Sequence, residues 1–152
     1  MINSPKSWQF NIEKSKEFLA KAERLSHFSL DLLHENRSIA KVLFELHKSV
    51  IHLIKAFLDL EQKQIKITNE PKKDIMAFFE KIAPKYLDKS QIKTLFSILT
   101  LTKKHKDSHL EFVKSEKFVI FSGKDYKTIT KEHLNAMILA IKGSISRFPL
   151  KA

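Results

Sequence analysis

The sequence predicts an all-α protein, an up-and-down bundle of about five helices with a small β-hairpin near residues 117–129. Two observations favour helices. Only 2 glycines and 4 prolines occur among the 152 residues, too few for the many tight turns of a β-sandwich or barrel. Apolar residues also recur at steps of three and four over several long stretches, which is the period of an α-helix.

The longest of these stretches, residues 39–60, is predicted to be the central helix. Its apolar positions continue for about six turns on one side of the helix. They are Ile39, Leu43, Leu46, Val50, Leu53, Phe57 and Leu60. Val42, Ile51, Ile54 and Leu58 widen this stripe. We therefore expect other helices to cover the central helix on several sides.

A first long helix is predicted to begin at Ser7 or Asn11 and to stop near Asn36. Its apolar positions are Phe18, Leu19, Ala22, Leu25, Phe28, Leu32 and Leu33. Ser38 or Asn36 then starts the central helix, so the loop between the two helices is very short. A short loop makes two helices antiparallel neighbours.

Three more helices are predicted after a loop at residues 62–70. Pro71 suits the first turn of the third helix, Asp88 or Ser90 caps the fourth, and Thr130 opens the last. The fourth helix is expected to run out by residue 109. The inner positions should be Ile75, Phe78, Phe79 and Ile82 in the third helix, Ile92, Leu95, Phe96, Leu99 and Thr102 in the fourth, and Leu134, Ile138, Ile141, Ile145 and Phe148 in the last.

The segment between the last two helices predicts the hairpin. Residues 118–121 read Phe-Val-Ile-Phe and favour a strand, residues 122–125 are typical of a turn, and residues 126–129 can return antiparallel. An isolated two-stranded ribbon is marginally stable in water. We therefore expect this hairpin to lean on the bundle through Phe118, Ile120 or Phe121.

Length and composition predict one helical-bundle domain spanning residues 1–152. The chain has no cysteine, which excludes disulfides, thiolate metal sites and cysteine nucleophiles. Neither a signal peptide nor a run of roughly 18 apolar residues for a membrane span is recognisable. We expect a cytoplasmic protein without membrane contact, and we predict no cofactor and no metal site.

Positive charge is concentrated in the second part of the sequence. Residues 1–62 hold 9 Lys/Arg and 8 Asp/Glu, whereas residues 63–152 hold 19 and 9. One positive surface would suit a polyanion such as RNA. Alternatively, lysine serves as a solubiliser in a lysine-rich chain, since 25 of the 28 basic residues are lysines. Charge alone leaves both interpretations open.

The segment from Lys103 to His109 has the densest basic cluster. His105 and His109, four residues apart, could share a metal ion on a helix, but the lysines beside them would repel a cation. An anionic ligand fits better, and a histidine of near-neutral pKa could move a proton in RNA cleavage. We assign nucleic-acid binding to a set that includes two residues further on: Lys103, Lys104, His105, Lys106, Lys114 and Lys117.

The remaining histidines and aromatic residues favour structural roles. His27, His34, His47 and His52 are interpreted as helix-surface or interface residues. Trp8, Phe10 and Phe28 are typical of a core or a dimer contact rather than of base stacking. No Gly-x-Ser-x-Gly, His-Glu-x-x-His or glycine-rich dinucleotide motif is present.

Two segments of the central helix, Ser38-Ile39-Ala40-Lys41-Val42-Leu43 and residues 49–58, resemble the second helix of the HEPN superfamily. This resemblance implies an up-and-down bundle of four or five helices. It also implies a small dimeric protein that binds or cleaves RNA and is often encoded with a nucleotidyltransferase-like partner. The family's active site is an arginine followed after four to six residues by a histidine, and the nearest match is Lys104, or alternatively Lys103, with His109. Lysine in place of arginine loses bidentate phosphate recognition.

We therefore expect a HEPN-like, homodimeric RNA-binding protein. If it is an enzyme, it is a metal-independent endoribonuclease with His109 as the proton shuttle and Lys104 steadying the scissile phosphate. The alternative is a non-catalytic protein-interaction module of the same fold, with the first two helices as its contact face and a nucleotidyltransferase-like partner.

Overall fold

A computed structural model describes residues 7–62, 68, 70–108, 110–122 and 125–149. Its α-helices are α1 (Ser7–Leu25), α2 (Ile39–Leu60), α3 (Pro71–Ala77), α4 (Ala83–Tyr86), α5 (Lys89–Lys106) and α6 (Lys131–Ser146). Its strands are β1 (Leu110–Lys114), β2 (Lys117–Ser122) and β3 (Asp125–Ile129). The predicted helical bundle with a small β insertion is confirmed. Most of the predicted loop at 62–70 lies outside the described residues.

The predicted central helix is confirmed as α2, with α1, α5 and α6 packed against it. Leu43, Leu53 and Phe57 along its length are fully buried. Helix α1 runs antiparallel to α2. Asn11 near the start of α1 donates to Asp59 near the end of α2, and Lys21 near the end of α1 pairs with Glu45 in the first half of α2.

A reciprocal pair of buried serines joins α1 to α2. The Ser49 hydroxyl donates to the Ser15 carbonyl oxygen at 2.8 Å, and the Ser15 hydroxyl lies 2.8 Å from the Ser49 carbonyl oxygen. Small side chains let the two helices approach closely, and the hydrogen bonds satisfy both hydroxyls in the core.

The end of the first helix differs from the prediction. After α1 the chain forms a π-helical segment, Ser26–Leu32, which has more residues per turn than an α-helix. The wider turn changes the direction of the side chains around the helix axis. Leu30 is therefore buried, whereas Phe28, Leu32 and Leu33 are exposed. The expectation that these three residues belong to the core is wrong.

The strands form one antiparallel sheet in the order β1-β2-β3. The hairpin of β2 and β3 was predicted, and β1 is an additional strand on its other side. Phe118, Ile120 and Ile129 on one face of the sheet belong to the main core. The hairpin therefore leans on the bundle as expected through Phe118 and Ile120, whereas Phe121 is only partly buried, on the opposite face.

Helix α5 has a capped start and a basic last turn that contacts the sheet. Asp88 caps its start, where Gln91 donates its backbone N–H to the Asp88 carboxylate at 2.8 Å. Phe96, predicted to face inward, is 51 % exposed, and Ile98 is buried instead. The last turn of α5 lies against β2, which brings its basic residues next to the sheet.

Candidate functional site

The basic end of α5 is the centre of the candidate site. Its last turn holds Lys103, Lys104, His105 and Lys106. Cations at this position are favoured by the negative end of the helix dipole, which is a purely structural reason for the cluster. Among the described residues none of these three lysines forms an ion pair, whereas Lys142 pairs with Glu23 of another helix at 2.7 Å.

A cavity of about 440 Å³ lies between the end of α5 and the middle of α2. Its lining residues are Phe44, His47, Leu99, Thr102, Lys103, His105 and Lys106. Three of the sequence-predicted residues therefore meet at one cavity: Lys103, His105 and Lys106. Lys104 is not among the lining residues, and His109 lies outside the residues that the structure describes.

His47 enters this cavity from α2. It is partly buried, and its Nδ1 atom has no hydrogen-bond partner among the described residues. Burial, and secondarily the charge of Lys106, hold the pKa of His47 below its ordinary value of 6.5. The imidazole is therefore neutral at pH 7 and able to accept a proton.

His105 is held by a carboxylate at the same cavity. Its Nδ1 atom contacts the Oε2 atom of Glu111, which lies on β1. The His105 ring also lies 6.2 Å from the ring of Phe118. A carboxylate at Nδ1 fixes the orientation and the tautomer of an imidazole.

The cavity thus combines a neutral imidazole, a second imidazole with a carboxylate partner and two ammonium groups. The ammonium groups can neutralise a phosphate, and the two imidazoles can move protons in opposite directions. For a metal ion the described residues offer less, because no three His, Asp or Glu side chains converge among them.

Lys114 and Lys117 lie elsewhere. They face each other across β1 and β2 and line a separate depression of about 390 Å³ on the outer side of the sheet. Apart from Lys104, which lines neither, the residues assigned to nucleic-acid binding therefore fall into two places, the α5 cavity and the sheet.

Sequence reasoning missed two residues at this site. His47, which lines the cavity, was interpreted as a helix-surface or interface histidine, and Glu111, which contacts His105, received no role. Glu111 follows His105 by only six residues and meets it where the chain enters β1. His47 meets the end of α5 only through long-range packing. No local spacing signals that contact, although the position of His47 directly after the buried Leu46 marks the border of the apolar stripe.

Among the described helices, none is long and apolar enough to cross a membrane. No family model matches the sequence, and no curated protein or solved structure gives a significant match to the chain.

Proposed function

We propose that this protein binds RNA and that the α5 cavity is the site for one phosphodiester group. The observation that carries the proposal is the meeting of His47, His105 and two lysines at one partly open cavity. Because Lys103 and Lys106 are both exposed and form no ion pair among the described residues, they are available to an anion. The excess of positive charge in residues 63–152 supports an anionic partner as well.

The same arrangement supports metal-independent cleavage of RNA. Neutral His47 would accept the proton of a 2′-hydroxyl, and the 2′-oxygen would attack phosphorus. The bond from phosphorus to the 5′-oxygen would break, and protonated His105 would give its proton to that oxygen. Glu111 would hold His105 in place, and a lysine would offset the charge that develops on the phosphate. The products would be a 2′,3′-cyclic phosphate and a 5′-hydroxyl.

In this proposal His47 and His105 take the role that the HEPN resemblance gives to Lys104 and His109. HEPN membership itself remains a proposal. It is supported by the central helix and by the short connection between the first two helices. A His109→Ala variant separates the two assignments, because cleavage by the cavity histidines would survive it.

The first test is binding. Fluorescence anisotropy with labelled RNA should show affinity that falls steeply with salt. A Lys103→Gln/Lys106→Gln variant should bind more weakly than wild type. The matched control is Lys72→Gln/Lys81→Gln, which removes two exposed lysines from another part of the chain. Equal affinity of wild type and the cavity variant would contradict the proposed site.

The second test is cleavage of a mixed RNA pool in the presence of a chelator. His47→Gln should slow cleavage by about 100-fold or more, the usual effect of losing a general base. His27→Gln, a change at an exposed histidine, should leave the rate unchanged. Equal cleavage by wild type and His47→Gln would remove the catalytic assignment.

A second candidate function is a protein-interaction module. It is favoured by the side chains that the π-helical segment turns outward: Phe28 is 58 %, Leu32 57 % and Leu33 48 % exposed. Such a cluster at the end of the first helix suits contact with a second copy of the chain or with a nucleotidyltransferase-like partner. This surface does not overlap the α5 cavity, so both functions could coexist.

A further inference from the structure

The outer face of the sheet consists of every second residue of its strands. Residues that pair directly across antiparallel strands point to the same side. The pairing of Phe121 with Leu110 and Tyr126 therefore places these three in one row across the sheet. Tyr126 is 63 % and Leu110 is 57 % exposed.

Three aromatic rings form a continuous surface on this face. The rings of Phe112 and Phe121 lie 5.8 Å apart at 25° to each other. Phe121 and Tyr126 also lie 5.8 Å apart, at 39°. Val119, which is buried but separate from the main core, forms the floor between them. One stacked pair and one tilted neighbour offer exposed aromatic surface for further stacking.

The carboxylates of the strands are confined to one face of the sheet. Lys114 and Lys117 pair with each other on the outer face. The acidic residues Glu111 and Asp125 fall on the opposite face by the same alternation. Lys117 lies four residues from Phe121 along β2, a distance of about 13 Å in an extended strand. The outer face thus presents aromatic rings at one end and two ammonium groups at the other, without a carboxylate among its strand residues.

We propose that this face binds single-stranded RNA, with bases stacked on Tyr126 and Phe121 and the backbone held by Lys114 and Lys117. The inference deepens the proposed RNA-binding function and rests on it. Charge and ring chemistry together favour single-stranded RNA as the ligand. The lysines attract phosphate, and stacking on the rings requires bases that are not paired in a duplex. A duplex keeps its bases covered and could contact only the lysines.

The experiment measures anisotropy with a labelled oligouridine of about 12 nucleotides and with a blunt duplex. Tyr126→Ala and Phe121→Ala should each weaken single-strand binding by about fivefold or more, the usual loss for one stacked base. The Tyr126→Phe variant should bind the single strand as tightly as wild type, because phenylalanine retains the ring. Phe10→Ala is the matched control, since Phe10 is a 57 % exposed aromatic residue on α1. Duplex affinity should not change in the two aromatic variants.

The outcomes separate this inference from the proposed function. If wild type binds RNA and both alanine variants bind the single strand equally well, the sheet inference is wrong and the cavity proposal stands. If Lys103→Gln/Lys106→Gln binds normally while the aromatic variants are impaired, the cavity proposal fails instead. Absence of any RNA binding by wild type overturns both. If Tyr126→Ala changes the oligomeric state with RNA affinity unaltered, the face is a protein contact and the inference is overturned.

Discussion

His47 shows how a single side chain can acquire chemical character from its neighbours. In sequence it is one of seven histidines, and nothing nearby distinguishes it. In the fold, burial and the charge of Lys106 keep its imidazole neutral. Lys106 lies on α5, which is distant in sequence, and burial depends on the whole fold, so the character of His47 could not be predicted from local spacing. The basic residues Lys103, His105 and Lys106 could be predicted, because their density along one helix turn is visible in the sequence.

The lowered pKa of His47 has a consequence for stability. The unfolded chain binds a proton at this histidine near pH 6.5, and the folded protein does so only at lower pH. The unfolded state therefore takes up more protons as the pH falls below about 6.5, and stability decreases. His52, whose pKa is also lowered by burial and then by Lys55 and Lys14, contributes in the same direction.

We predict that His47→Gln reduces this acid sensitivity. Urea unfolding of wild type and variant at pH 7.5 and at about pH 5 measures it. The variant should lose less of its unfolding free energy between the two pH values than wild type does. Exposed His34 is the control position, and His34→Gln should lose as much unfolding free energy between the two pH values as wild type does. A loss of stability in His47→Gln as large as that of wild type would contradict the assigned pKa shift.

At the scale of elements, some helices and strands can be predicted from their own sequence, and others form only through contacts with the rest of the fold. The stripe of α2, the Asp88 cap of α5 and the turn-rich hairpin of β2 and β3 are visible in sequence. The strand β1 is only five residues long and becomes a strand because β2 supplies its hydrogen-bond partners. The π-helical segment Ser26–Leu32 depends on an added residue per turn, which an apolar pattern of threes and fours cannot reveal.

The turn between β1 and β2 carries backbone strain. Ser115 and Glu116 connect the paired Lys114 and Lys117, with φ of 48° and 64°. Positive φ at both positions is typical of a type I′ turn, which favours Asn-Gly. Each non-glycine residue in this region costs about 1 kcal/mol.

We predict that Glu116→Gly stabilises the protein by about 0.5–1 kcal/mol, because glycine adopts positive φ without steric cost but loses more chain entropy on folding. Thermal unfolding measures the effect. Glu116→Ala is the control, because it removes the same carboxylate from the neighbourhood of Lys131 while the strain remains. A Glu116→Gly variant no more stable than Glu116→Ala would show that the turn is unstrained.

At the scale of the whole molecule, the two proposed RNA-binding surfaces lie at the same end of the bundle. The α5 cavity and the sheet adjoin through the contact of α5 with β2. The start of α6 is tied to the same end by the ion pair of Lys131 and Asp31. The overall bundle was predictable because α2 is apolar on so much of its surface. The meeting of α5 with β1 was not, since β1 carries no strand signal of its own and is placed by its pairing with β2.

The exposed cluster of Phe28, Leu32 and Leu33 predicts self-association. A Leu32→Ser/Leu33→Ser variant should be monomeric where wild type is dimeric, as measured by sedimentation velocity. Leu139→Ser on α6, where the leucine is 68 % exposed, is the control and should not alter the mass. A wild-type monomer at all concentrations would contradict the homodimer. RNA affinity measured alongside would show whether assembly and RNA binding are separate.

Successive residues of β2 lie on opposite faces of the sheet, so the two faces can vary independently. Phe118 and Ile120 anchor the strand to the bundle, while Lys117 and Phe121 face away from it. Substitutions at the outward positions can change the chemistry of the outer face without removing the contacts that hold β2 to the bundle. Natural variation or directed selection can therefore diversify the outer face while the inward residues stay constant.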